Sequence, residues 1–456
     1  MHQHTNNTNT YPRRFGRRRD RSSYIVCVLL LVLTAQTLLA QVKSPVPIKE
    51  TDPGTTAMPT TRRQQTRTIT ITDAVSIFLQ QNLQLVAARY DVDTADAEKL
   101  TARLRPNPQV TVAFADIPLD FRRNFVKPET YDYGISQTLE IGGKRQKRID
   151  AANADSNVAQ AQFQTVVWQM TNDLKRKFYT VLLDQSLLSL AKENQKTFAE
   201  IVLHTTEVFQ SGEISGLDLQ RLEVEKFKFD TDVANSERDY ELALRDLRVN
   251  LGGDYRAMDI EVAGAIDYYQ PRDFTLADLR DKALAARPDL KAAQLSEHAA
   301  DAAIRLQDAQ KIPDLTVGAG IEQAVDGNTY NVGVSIPIPV SDRNQGERAK
   351  ALIQKQKAQN DQHLISNQVV SDVDKALVAY DIQKRRVELY RTGVLTKVTE
   401  IQNLTEISLK AGESSTLELL DAIRTRRDTL AGFYQTVFDY QMSLLDLELA
   451  TATPLQ

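Results

Sequence analysis

From Lys144 to Ser211 the chain contains neither proline nor glycine, and apolar residues are scattered among Ala, Gln, Lys, Leu, Asp and Asn. No proline occurs between Pro128 and Pro271, or between Pro339 and Pro454. Read as one helix, the first stretch of about 68 residues is about 100 Å long at 1.5 Å per residue. Globular helices rarely exceed about 25 residues, so the pattern predicts a coiled-coil-like rod. Gly212 and Gly412, each in a small polar cluster, interrupt the helical pattern and start a second long helix. Two helical hairpins follow, with tips near Ser211–Ser215 and Ala411–Ser415.

Between the helices the period changes to two. Val110, Val112 and Phe114 alternate with small or polar residues, as do Tyr133, Ile135, Leu139 and Ile141, with only Gln137 breaking the apolar face. Leu315, Val317, Ala319 and Ile321 form a third set, and Tyr330, Val332, Val334, Ile336 and Ile338 a fourth. The expected strands are 108–117, 130–141, 314–322 and 329–340. Ordinary half-buried strands would explain any one of them. Four in two matched pairs, each beside a very long helix, fit a transmembrane β-barrel, apolar outside and small or polar inside. Four strands cannot close a barrel, and an open edge cannot face lipid because its backbone groups would lack partners. Several copies must therefore share one barrel.

The two halves repeat each other. Thr70-Ile-Thr-Asp73 and Thr275-Leu-Ala-Asp278 open segments that stay in order, with Pro108, Thr111 and Val112 answering Pro313, Thr316 and Val317. Tyr240, Leu244 and Leu247 later answer Tyr440, Leu444 and Leu447. The expected organisation is an N-terminal linker (41–69), a first repeat (70–251), a connector (252–274), a second repeat (275–450) and a short tail (451–456).

Composition refines this. The first forty residues read as a signal peptide: six arginines between Arg13 and Arg21, then an apolar run from Tyr24 to Ala40. The single cysteine, Cys27, lies in that run, so the mature chain has no disulfide, thiolate metal site or Cys nucleophile. Removing the six arginines and Asp20 leaves 50 basic against 59 acidic residues. An exported chain with that balance is not built for nucleic acid. His204, His298 and His363 are isolated, and no nucleophile elbow, P-loop or dinucleotide fingerprint is present. We expect no enzyme activity, no cofactor and no metal site.

With these features in hand, the chain resembles the TolC-type outer-membrane efflux family over roughly residues 68–450. Leu139-Glu-Ile-Gly-Gly-Lys-Arg145 and Ile336-Pro-Ile-Pro-Val-Ser-Asp-Arg-Asn-Gln-Gly346 are similar to the cobalt–zinc–cadmium resistance branch, as is the tip Ala411-Gly-Glu-Ser-Ser-Thr-Leu-Glu-Leu-Leu-Asp-Ala422 to the family's tip. The resemblance implies an α+β membrane protein: a homotrimer with a twelve-stranded barrel in the outer membrane. A long periplasmic α-helical barrel hangs below, with a collar drawn from 41–70, 252–274 and the C-terminal end. The loops 116–130 and 322–329 would face outside.

It further implies an exit duct for an inner-membrane pump of the RND type, joined through a periplasmic adaptor protein, with heavy-metal cations as cargo. The same duct carrying drugs, lipophilic compounds or polypeptides remains an alternative, as does an exported coiled-coil structural protein. Adaptor contact is expected at Gly212, Ser215, Leu217, Gly412, Ser415 and Leu417, and a periplasmic constriction at Glu418 and Asp421. Crowded carboxylates there would favour cations and raise some carboxyl pKa values. Leu409 and Ser414 stand where some relatives lock the tip with a tyrosine and an arginine, and the first half offers Asp218 and Arg221 instead. Lys144, Arg145, Lys147 and Arg148 open the long helix, where they could meet lipid phosphates or the lumen, or form a solvated helix face.

Overall fold

A computed structural model describes residues 67–115, 130–211, 215–256, 258–266, 271–324 and 326–455. The expected signal peptide, most of the linker and the loop 116–129 lie outside the described residues. A short strand β1 (Arg67–Ile69) leads to α1 (Ile71–Gln81) and α2 (Leu83–Arg103). Thr70 opens α1 with a capping box, its Oγ1 accepting the Asp73 N–H while the Asp73 carboxylate accepts the Thr70 N–H. Strands β2 (Gln109–Ala115) and β3 (Thr130–Leu139) follow, then the unbroken α3 (Lys144–Gln210) and α4 (Gly216–Leu251).

The order then repeats. After β4 (Ile260–Val262) come α5 (Leu276–Ala286), α6 (Pro288–Gln310), β5 (Leu315–Ala324) and β6 (Gly327–Ser335). Next are α7 (Gln345–Leu389), a π turn (Tyr390–Val394), α8 (Leu395–Lys410) and α9 (Thr416–Thr451). The break between α7 and α8 was not expected. Gly393 takes a φ of 113° there, a region that favours glycine, so the second hairpin is kinked where the first is continuous.

Strands β2-β3-β5-β6 form one antiparallel sheet, and β1 pairs with β4 in parallel. Val110, Ile135, Ala319 and Val332 are cross-strand partners, as are Thr111, Gly134, Gly320 and Asn331. The two-residue alternation therefore keeps one face apolar and the other small or polar across all four strands. β5 runs to Ala324 and β6 starts at Gly327, which makes their hairpin tighter than the expected 322–329 loop. β6 also ends at Ser335 rather than 340, because Pro337 and Pro339 have no N–H to give a ladder.

The main core gathers Ile69, Phe78, Leu247, Leu251, Ile260, Val262, Leu279, Tyr380, Tyr440 and Leu455 around the middle of α3 and the C-terminal halves of α7 and α9. A second, smaller core joins Phe198, Leu222, Phe229, Leu419, Leu420 and Ile423 nearer the tips. Together these cores hold the two hairpins side by side.

Candidate gate and conduit surfaces

Both hairpin tips use the same local chemistry. Ser215 caps α4, its Oγ accepting the Leu217 N–H at 3.1 Å, and Ser415 caps α9, accepting the Glu418 N–H at 3.3 Å. Two residues past each cap, Leu217 and Leu417 are 56% and 68% exposed. Gly412 turns the chain with φ 77°. Gly212 and the side chain of Asp218 lie outside the described residues.

Glu418 has a structural role besides the constriction expected of it. Its Oε2 accepts the Ser415 N–H at 3.0 Å and a hydrogen bond from the Ser414 hydroxyl, completing a capping box. These hydrogen bonds hold its carboxyl below the usual range. Ser415-Thr-Leu-Glu418 is itself the S-x-x-E signature, so this role was legible. Asp421 is exposed on the next turn of α9.

Ser414 is thus committed to Glu418, and Leu409 packs against the tip core. What ties the hairpins together is a set of arginines on α9. Arg424 makes a bidentate pair with Glu225 of α4, with Nε–Oε1 at 3.0 Å and Nη2–Oε2 at 2.5 Å. Arg427 reaches Asp232 at 3.1 Å and lies over the Phe229 ring, and Arg426 reaches Glu193 of α3 at 2.9 Å. Glu225 is only 5% exposed. Burial works to raise its pKa, but Arg424 and Lys228 outweigh this and hold it below the usual range. Three arginines in four positions, Arg424-Thr-Arg-Arg427, were the available sequence signal. Their partners about 200 residues away were not.

The basic cluster at the start of α3 is occupied internally. Arg145 Nε donates to the Arg103 carbonyl at 2.8 Å, and Arg148 donates to the carbonyls of Ala102 and Leu104 at 3.1 and 2.9 Å. These are the orphan carbonyls at the end of α2. Arg148 also pairs with Glu140, and Lys144 with Asp314 at 2.8 Å. The cluster fastens the helix layer to the sheet. Lys147 stands 4.0 Å from Asp150.

The polar face of the sheet holds Thr111, Asp132, Gly134, Ser136, Gly318, Gly320, Glu322 and Asn331. Asp132 and Glu322 are direct cross-strand partners. No Lys, Arg or His occurs in any of the four strands. Tight packing fixes Gly320: a Cβ there would sit 2.4 Å from Asn331 Oδ1 and 3.0 Å from the Tyr133 carbonyl oxygen. The opposite face is exposed and apolar, including Val110, Ile135, Tyr330 and Val332.

His204, His298 and His363 are exposed and separate. Among the described residues no three His, Cys, Asp or Glu side chains are grouped to hold a metal ion.

Comparison with known proteins places this arrangement. A family model described as outer membrane efflux protein matches residues 74–253 and 279–452. The cobalt-zinc-cadmium resistance protein CzcC of Cupriavidus metallidurans is 26% identical over 380 residues, covering 83% of this chain and 88% of that protein. The probable outer membrane lipoprotein SilC of Salmonella typhimurium is 22% identical, covering 72% and 73%. Crystal structures of CusC superpose with a TM-score of 0.69 at 17% identity, covering 84% of this chain and 92% of theirs. The open state of the Neisseria gonorrhoeae MtrE outer membrane channel gives 0.68 at 18%, covering 85% and 89%.

Proposed function

The chain belongs to the outer membrane efflux protein family, and from that premise we propose that three copies form a cation-conducting exit duct for heavy metals. It is an outer-membrane efflux duct with a TolC-like fold and a large helical part, not an enzyme and not a free-standing structural rod.

The observation that carries the cargo is the pairing of Asp132 with Glu322 on the polar face of a sheet without a single basic side chain. Like charges directly opposite each other destabilise a sheet by a few tenths to about 1 kcal/mol. No internal cation relieves them among the described residues. In a trimer, six such carboxylates would surround one lumen, and low-dielectric walls would focus their field. Cations are drawn through such a ring and anions repelled. The name of the relative CzcC, a cobalt-zinc-cadmium resistance protein, points the same way.

Assembly follows from the edges. β2 and β6 each lack a partner on one side. They are different strands, so the contact between copies is heterologous, the kind that forms a ring where the rotation between copies closes. Twelve strands from three copies would leave no edge facing lipid. At the other end, Leu217 and Leu417 offer two similar apolar contacts per chain to a periplasmic adaptor, which an inner-membrane RND pump would load. Ser215, Ser415 and Gly412 shape those tips, and Asp421 adds a carboxylate at the narrow end.

The test is growth of a deletion strain on graded cobalt, zinc and cadmium salts, beside a panel of lipophilic drugs. Restored wild-type gene should rescue metal tolerance, and Asp132→Asn/Glu322→Gln should rescue it only partly. Sensitivity confined to the drugs would overturn the metal reading and leave the duct.

A further inference from the structure

The cations available to lipid are not those at the start of α3. We propose that the junction between β6 and α7 binds one anionic phospholipid, with its phosphate at Arg343 and Lys311 and an acyl chain along Ile338 and Val340. This rests on the apolar face of the sheet being the lipid face.

A cleft of about 540 Å³ opens there, lined by Lys311, Pro313, Ile338, Val340, Asp342 and Arg343 among others. Ile338 is 82% exposed, immediately beyond the sheet's apolar face. Its backbone offers little to another strand. Pro337 and Pro339 have no N–H, and the Val340 N–H is already bonded to the Ile338 carbonyl at 2.9 Å. A neighbouring copy could therefore extend its ladder along β6 but not along this segment. An acyl chain needs no backbone partner, which makes it the occupant that fits.

The charge is set at the matching level. Lys311 and Arg348 share Asp308 at 2.7 Å each, and Asp342 accepts the Asn344 N–H at 2.9 Å. Arg343 uses its backbone N–H on Gln345, while its guanidinium has no partner among the described residues. Three cations against two carboxylates leave one positive charge in excess, matching one phosphodiester. Planar guanidinium groups bind phosphate oxygens in a bidentate fork. Sequence position hid this site behind the richer basic run at Lys144–Arg148, where Lys144, Arg145 and Arg148 are held by carbonyls and carboxylates.

The test uses tryptophan quenching in bilayers by brominated lipids. The native Trp168 lies on α3 roughly 36 Å along the helix from Lys144, beyond reach of the acyl bromines. Ile338→Trp in the intact oligomer should be quenched several-fold more by brominated phosphatidylglycerol than by brominated phosphatidylcholine. Arg343→Gln with Lys311→Gln should abolish the difference. Val332→Trp, halfway along β6 on the apolar face, should be quenched equally by both lipids.

Equal quenching at position 338 would overturn the headgroup site. Quenching at 332 without any at 338 would mean a second copy covers the segment, and would overturn this inference alone. No quenching at 332 would overturn the lipid-facing sheet as well. Should the tryptophan variants fail to assemble, native mass spectrometry of the wild type decides. Preferential retention of phosphatidylglycerol, lost in the Arg343→Gln/Lys311→Gln oligomer, supports the site; equal retention overturns it.

Discussion

Lys175 and Glu448, 273 positions apart, meet with Nζ and Oε2 at 2.8 Å between α3 of the first repeat and α9 of the second. The other Glu448 oxygen accepts the Leu455 N–H at 3.0 Å, which pins the C-terminal end against the same place. Arg176 pairs with Asp446, and Asn172 Nδ2 donates to the Leu445 carbonyl, so one turn of α3 grips one turn of α9. Glu448 is only 6% exposed. Lys175→Met leaves the buried Glu448 carboxylate without its cation and is expected to cost about 3 kcal/mol. Lys175→Met with Glu448→Leu should recover much of that loss. Chemical unfolding of the three proteins, followed by helical signal, checks this.

Breaking Arg424–Glu225 should loosen the tips while leaving the sheet intact. Arg424→Ala is expected to raise single-channel conductance in planar bilayers. The exchanged pair Arg424→Glu/Glu225→Arg should restore part of the closure. Unchanged conductance in Arg424→Ala would remove this pair from the gate.

The same pair sets a pH dependence. Glu225 has a folded pKa below its unfolded value, so its stabilising contribution is full above about pH 4.5 and is lost as pH falls through the folded pKa. Conductance of the wild type should stay flat from neutral pH to about 5 and rise only below about 4.5. The Glu225→Gln channel should lack that rise.

Asp184, half-buried on α3 with Asp239 nearby, behaves in the opposite sense. Burial first, and the Asp239 charge second, push its pKa up to about 6. Its ionisation destabilises the fold above that pH, and the penalty disappears as pH falls through about 6 toward 3.8. Asp184→Asn should therefore stabilise the protein at pH 7.5 by about 1–2 kcal/mol, with solvent screening allowed for. The gain should shrink by pH 5, as thermal unfolding at the two pH values would show.

Gly320 and Gly318 sit two residues apart on the polar face, yet they should differ. A methyl at Gly320 meets Asn331 Oδ1 at 2.4 Å and the Tyr133 carbonyl oxygen at 3.0 Å, whereas at Gly318 the nearest atoms are 3.5 Å away. Gly320→Ala should lower the yield of heat-resistant oligomer, and Gly318→Ala should not. Gel analysis of unheated membrane extracts separates the two.

Much of the architecture was legible because it is local. The lack of proline and glycine between Lys144 and Gln210 decides a continuous helix, since each residue's hydrogen bond depends only on neighbours four positions away. Alternation in Val110–Phe114 and Tyr330–Val334 decides strands with one apolar face for the same local reason. Pro337 and Pro339 were equally available and cut β6 shorter than the alternation suggested. The kink at Gly393 left only a single glycine in the sequence, too weak a mark against the long helical pattern around it.

Partnership was decided only by the tertiary structure. Nothing within a turn of Arg145 or Arg148 says that their guanidinium groups will close α2 rather than meet lipid, because the receiving carbonyls lie more than 40 positions away. Arg424 finds Glu225, and Lys175 finds Glu448, only after two repeats pack side by side. Charge pairing depends on distances of a few ångströms and on local burial, and both are fixed by how distant helices are offset along one another. Local sequence decided the rods, the strands and the duplication; the packing of one repeat on the other decided which charges are spent and which, like the Arg343 guanidinium, have no partner among the described residues.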